Sequence, residues 1–191
     1  MRSAGCVLAG PCGAVIRSLL LLAALVLAGG EAFAQSEPAR QSAAPLPPVA
    51  VSGWRYELRP NDVHMFLCDK SDCGAEARVS YRLASVSAMT LEQFREEQTQ
   101  VVKLLEQRTP GQKISILAVD GDSGTSVPRM FKARRLMVKP DGTKEYQVSG
   151  WMFGARGAAS LISSAATEKA SSDNYAKFAL AVMLLLAPAN R

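Results

Sequence analysis

Two cysteines separated by four residues are the first candidates for chemistry in this chain. Cys68 and Cys73 enclose residues 69–72. Redox pairs of the thioredoxin kind have two intervening residues, and a metal site needs more ligands than His64, the single histidine, supplies. A copper site built from His64, Met65 and Cys68 loses its thiolate when Cys68 is oxidised. Cys6 and Cys12 lie within residues 1–34, a predicted export leader, so the exported chain keeps an even pair. An even pair in an oxidising compartment predicts one structural disulfide, with no metal and no cofactor.

Catalytic constellations are scarce elsewhere in the sequence. A Ser-His-acid triad has to use His64, and no Gly-x-Ser-x-Gly nucleophile elbow occurs. Residues 120–124 begin like a calcium-binding loop, but the twelfth position is Phe131, where a bidentate Glu is needed. We therefore predict no catalytic residue, with an uncharacterised hydrolytic enzyme as an alternative.

Five basic residues within eleven positions form the most suggestive surface feature. They are Arg129, Lys132, Arg134, Arg135 and Lys139. Because neighbouring residues of a strand point to opposite faces, Arg134 and Arg135 indicate either a bulge or a solvated edge. One interpretation is an edge strand that its charges protect from aggregation. The other is a docking patch for an unknown acidic envelope protein, or for an anionic glycan or lipid headgroup.

Three aromatic residues are candidates for a ligand pocket. Trp54, Trp151 and Phe153 lie in predicted strands and can line a cavity between a sheet and its helices. Ordinary core packing is the alternative interpretation of all three.

Residues 1–34 have the features of a cleavable export signal. Arg2 and Arg17 precede the apolar run 18–28, and residues 32–34, Ala-Phe-Ala, form a small-x-small cleavage site. The apolar run is shorter than the roughly 18 to 20 residues that span a bilayer. The sequence therefore predicts a soluble periplasmic or secreted protein, without a transmembrane segment in the mature chain, in a compartment where thiols pair.

The remainder divides into a linker and one domain. Residues 35–50 are rich in proline and alanine, which predicts a disordered tether, and residues 51–188 are long enough for a single domain with its own core. The formal net charge of +5 is too small to indicate a nucleic-acid partner.

Periodicity assigns the elements that must position these residues. Strands are predicted at 51–58, 63–68, 75–85, 113–119, 131–139, 144–153 and 158–164, and the Pro-Asp-Gly-Thr turn at 140–143 favours a hairpin. A capping box of Thr90 and Gln93 starts one helix, in which Gln98 interrupts the apolar stripe. A second helix, 172–186, is apolar on both sides and expected to be largely buried. The fold class is α+β, an antiparallel sheet packed against two helices with one disulfide.

The order of these elements resembles the PsbP-like fold, which includes bacterial envelope proteins of the DcrB type. The residues that carry the resemblance are those of the first helix start, 89–94, the strand around 146–148 and the final helix, 178–184. The resemblance implies two helices on an antiparallel sheet and a non-catalytic role in binding or assembly. It transfers no functional residue.

These observations lead to one main functional prediction. The chain is expected to be an exported, non-catalytic binding or assembly protein of the bacterial cell envelope. A small-ligand carrier with a pocket between sheet and helices is the alternative.

Overall fold

The structure is a computed structural model that describes residues 48–85 and 89–189. The predicted signal peptide and residues 35–47 of the predicted linker lie outside the described residues. Val49, near the start of the described chain, is buried in the core of the domain.

Seven antiparallel strands form one sheet in the order β1-β2-β3-β7-β6-β5-β4, so that β1 and β4 are its edges. Helix α1 lies between β3 and β4 in the chain, and α2 follows β7. The strands are β1 Trp54–Arg59, β2 Val63–Cys68, β3 Arg78–Ala84, β4 Lys113–Gly121, β5 Arg129–Val138, β6 Lys144–Gly154 and β7 Gly157–Ala165, and the helices are α1 Leu91–Arg108 and α2 Glu168–Leu186. The predicted α+β class is confirmed.

The cysteines lie where the sequence placed them, at the connection between β2 and β3. Cys68 ends β2, Cys73 lies in the short 3-10 helix Ser71–Cys73, and their Cα atoms are 6.3 Å apart within a disulfide pair. The backbone N–H of Cys68 donates to the carbonyl of Ala77 at 3.0 Å, which closes the same connection. The predicted disulfide therefore joins the two ends of the loop between paired strands.

Removal of this disulfide has a calculable cost. We expect the free energy of unfolding of the double variant Cys68→Ser, Cys73→Ser to be about 2 kcal/mol lower than that of the wild-type protein, because the bridge no longer restricts the unfolded chain. Urea unfolding measures the difference. Thiol labelling of the purified native protein should leave both residues unmodified, and labelling of Cys68 and Cys73 before reduction would show that the bridge is absent.

Helix α1 begins as its sequence predicts. The Thr90 side chain accepts from the backbone N–H of Gln93 at 3.2 Å, and the Gln93 side chain accepts from the N–H of Thr90 at 2.8 Å. This reciprocal pair satisfies two N–H groups that a helix start leaves free. The helix ends at Arg108, just before Pro110 and Gly111.

Helix α2 differs from its prediction in its start and in its exposure. It begins at Glu168, four residues before the predicted start, because Thr167 caps it and accepts from the backbone N–H of Ala170 at 3.2 Å. Ser171 lies inside the helix, where it is buried and exchanges hydrogen bonds with Ser163. Leu180 and Leu184 are 69 % and 68 % exposed. The expectation of a largely buried helix is therefore wrong for the outward side of its second half.

The two helices cover opposite faces of the sheet. Phe178 and Val182 of α2 pack with Phe66 and Tyr81, whereas Phe94 of α1 belongs to a separate cluster on the other face. Strand β5 alternates between them, since Phe131 and Ala133 lie in the α1 cluster while Met130 packs against the α2 cluster. The sheet therefore separates two cores.

Within residues 48–85 and 89–189, neither helix is both long and apolar enough to cross a membrane.

Candidate ligand-binding cleft beneath the first helix

The strand that carries the basic residues is not an edge. Strand β5 pairs with β4 along one side and with β6 along the other. The edge-strand interpretation is therefore wrong. An irregularity does occur beside Arg134 and Arg135, but it lies in the partner strand, where the register shifts between Ile116 and Ala118 of β4. The two arginines can thus alternate regularly toward opposite faces.

The five basic residues do not form one surface. Arg129 and Arg135 are 5 % and 3 % exposed on the α1 face, where the Arg129 guanidinium lies over the rings of Phe131 and Phe153. Arg134 belongs to the other face, and its Nη1 donates to Glu168 of α2 at 2.8 Å. Lys132 lines a depression beside α2. The Nζ atom of Lys139 lies 3.9 Å from Oε2 of Glu145. A continuous docking patch of all five is not formed.

The three aromatic candidates are also divided by the sheet. Trp54 packs edge-on against Phe178 of α2, with ring centroids 5.0 Å apart. Phe153 is buried in the α1 cluster, and Trp151 packs against that cluster. Of the three, only Trp151 lines the cleft between α1 and the sheet. Trp54 lies on the opposite face, beside Cys73. The three residues therefore do not line one pocket.

The cleft lies between α1 and strands β5 to β7 and has a volume of about 120 Å³. We call it the Arg135 cleft, after the buried charge in its wall. Its lining residues are Phe94, Glu97, Gln98, Val101, Arg135, Ser149, Gly150, Trp151, Ser160 and Ile162. Charged, polar and apolar groups thus face one small space.

Arg135 is the only positively charged lining residue of this cleft, and most of its donors are unused. A guanidinium has five N–H bonds. The Nη2 group donates to Gln147 Oε1 at 2.7 Å and to Ser149 Oγ at 2.8 Å. Nε and Nη1 are buried and have no partner within residues 48–85 and 89–189. Burial lowers the pKa of Arg135, and the negative charge of Glu97 opposes that shift.

A chain of hydrogen bonds fixes the polar side of the cleft. Ser149 Oγ, which accepts from Arg135, donates to Gln98 Oε1 at 3.2 Å, and Gln147 Nε2 contacts Ser164 Oγ at 3.4 Å. Gln98 is the residue that interrupted the apolar stripe of α1 in the sequence, and it is buried against the sheet. That interruption was the one sequence signal for a polar site under this helix.

Glu97 supplies a negative charge to the same cleft. The indole Nε1–H of Trp151 donates to both carboxylate oxygens of Glu97, at 3.3 and 3.2 Å. No nitrogen of Arg135 is bonded to Glu97, since Nη2 donates to Gln147 and Ser149 while Nε and Nη1 have no partner in the part of the chain that the structure describes. The cleft therefore presents two opposite charges that are not paired with each other.

No family model matches this chain, and no match to it was found among curated proteins.

His64 lies away from the cleft, in a stack of aromatic rings. Its Nδ1 is 2.9 Å from the hydroxyl of Tyr56, and its ring stacks on Tyr81 with centroids 4.6 Å apart. Burial lowers the pKa of His64. Among residues 48–85 and 89–189, no group of three or more His, Cys, Asp or Glu side chains is placed to hold a metal.

Proposed function

We propose that this protein is an exported, non-catalytic binding protein of the bacterial cell envelope, and that the Arg135 cleft holds the carboxylate of a small ligand. The observation that carries this proposal is the guanidinium of Arg135, a residue in the wall of this cleft, whose buried Nε and Nη1 donors have no partner among the described residues. The predicted leader and the Cys68–Cys73 pair support export, because disulfides persist in oxidising compartments.

A buried cation without a counter-charge destabilises the fold. Taking a charge out of water costs several kcal/mol unless a counter-charge and hydrogen bonds compensate it. Two neutral oxygens, from Gln147 and Ser149, compensate only one nitrogen of Arg135. A carboxylate is the matching partner, because guanidinium and carboxylate form short, charge-assisted hydrogen bonds.

The size of the cleft limits the ligand. A volume of about 120 Å³ is well below the roughly 300 Å³ of the smallest typical drug-sized pockets. Val101 and Ile162 provide apolar walls for a short hydrocarbon part. A short-chain carboxylate satisfies both the charge and the volume.

The hydrogen bonds of Ser149 support a binding role rather than hydrolysis. Its hydroxyl donates to the amide oxygen of Gln98 and accepts from Arg135. An activated serine needs a general base within hydrogen-bond reach, and an amide oxygen is not a base. Ser149 is therefore held as a structural group. The non-catalytic role implied by the PsbP-like resemblance agrees with this proposal, and the resemblance stays a prediction.

Isothermal titration of the purified protein with propionate tests this proposal. We expect saturable binding with a dissociation constant of about 1 mM or tighter, because charge-assisted bonds to a buried guanidinium contribute more than neutral ones. Propylamine, which is a cation of the same chain length at neutral pH, is the matched control and should bind more weakly. Absence of saturable propionate binding, or tighter binding of propylamine, would contradict a carboxylate site.

A further inference from the structure

We infer that the Arg135 cleft selects zwitterionic ligands, short amino acids whose carboxylate bonds to Arg135 and whose ammonium group bonds to Glu97. This inference rests on the proposed function, because it assigns a second contact within the same cleft. Short zwitterions are then the class of ligand, and Glu97 is the residue that determines specificity.

Glu97 has acceptor capacity left for an ammonium group. An ionised carboxylate offers about four lone-pair positions, and the single indole N–H of Trp151 is its hydrogen-bond donor here. Glu97 lines the cleft together with Arg135. An ammonium group in the cleft therefore finds an acceptor that the protein itself holds in place through Trp151.

Arg135 and Glu97 are not paired with each other, so both charges remain for a ligand. A direct Glu97–Arg135 ion pair would satisfy both residues and leave no charge for a ligand. Arg135 instead directs Nη2 to Gln147 and Ser149, and Glu97 is bonded to Trp151. A ligand with one positive and one negative end can bond to both residues, because each of its ends meets the opposite charge.

The walls of the cleft limit what lies between those ends. Val101, Trp151 and Ile162 bring apolar surface close to the charged residues within about 120 Å³. A short methylene chain is compatible with this volume, whereas a bulky side chain is not. β-Alanine is the appropriate probe, because it is propionate with one added ammonium group and no other change.

The experiment compares propionate with β-alanine by isothermal titration on three proteins. In the wild-type protein we expect β-alanine to bind about tenfold more tightly than propionate. In Glu97→Gln this preference should disappear while propionate still binds. Glu96→Gln is the matched control, because Glu96 is the exposed neighbour on the same helix and its variant should keep the tenfold preference.

The outcomes separate this inference from the proposed function. Propionate binding without any preference for β-alanine in the wild-type protein would overturn the zwitterion inference and leave the carboxylate site intact. A preference that persists in Glu97→Gln would overturn the role of Glu97. Failure of both probes to bind would overturn the proposed function itself. The wild-type comparison of the two probes decides the matter even if Glu97→Gln folds poorly.

Discussion

Arg135→Met is expected to abolish carboxylate binding without destabilising the protein. Removing the guanidinium takes away the charge-assisted hydrogen bonds, each worth about 1.5 to 3 kcal/mol, so propionate affinity should fall by about 100-fold or more. The free energy of unfolding should change by no more than about 1 kcal/mol, since removing a buried, incompletely paired charge offsets the loss of the hydrogen bonds that Arg135 donates to Gln147 and Ser149. Titration calorimetry and urea unfolding measure the two effects.

The neighbouring residue provides the control for this variant. Arg134 lies in the same strand, but its guanidinium pairs with Glu168 on the α2 face and its side chain is 40 % exposed. Arg134→Met should leave propionate binding unchanged and cost at most about 1 kcal/mol of stability. Equal losses of binding in the two variants, or a loss of several kcal/mol of stability in Arg135→Met, would mean that Arg135 serves the fold rather than a ligand.

Gly150→Ala is expected to be strongly destabilising. An added Cβ at Gly150 would overlap the backbone oxygen of Phe131 and the hydroxyl of Tyr175. The first belongs to the paired strand β5 and the second to a buried side chain of α2, so neither can withdraw without moving an element. Urea unfolding should show a loss of about 3 kcal/mol or more, the upper end of the range for overpacking.

Gly124→Ala is the matched control for this variant. A Cβ at Gly124 meets only the Ser126 Oγ atom, at 3.9 Å, which is ordinary van der Waals contact. Its free energy of unfolding should remain within about 0.5 kcal/mol of the wild-type value. If the two alanine variants were equally stable, the close approach of α2 to the sheet at Gly150 would not exist in solution.

Local chemistry made several elements predictable from sequence. The capping box of Thr90 and Gln93, the β5–β6 hairpin turn at 140–143 and the loop between Cys68 and Cys73 each depend on residues close together in the chain. Such features need no knowledge of the rest of the fold, because their hydrogen bonds or covalent bonds close within a few residues. The α+β class followed from these elements and their order.

The position of β5 could not be predicted in this way. The charges of β5 favoured an edge strand because a buried arginine is rare. Only the strand order of the sheet shows that β4 lies outside β5 and forms the edge. Alternation correctly put Arg134 and Arg135 on opposite faces, but it does not say what covers each face. Helix α1 covers the face of Arg135, and that contact joins parts of the chain distant in sequence.

The partners of Gln98 and the exposure of two leucines of α2 have the same physical origin. Gln98 looked like a flaw in an apolar stripe, yet it is buried because Ser149 of β6 donates to it. Leu180 and Leu184 looked like core residues, yet they point away from the sheet because Phe178 and Val182 occupy the side of α2 that faces it. Composition gives the polarity of a residue, whereas its burial depends on the partner that the fold brings to it.

The most direct test of a carboxylate site at Arg135 is a two-dimensional ¹⁵N–¹H spectrum of the protein titrated with propionate. The chain has two tryptophans, so the indole signal of Trp151 in the cleft can be compared with that of Trp54 on the other face of the sheet. We predict that the Arg135 Nε–H and Trp151 indole signals shift together along one saturable curve while the Trp54 signal stays in place. Unchanged Arg135 and Trp151 signals at saturating propionate, or equal shifts of both indoles, would contradict a carboxylate site in this cleft.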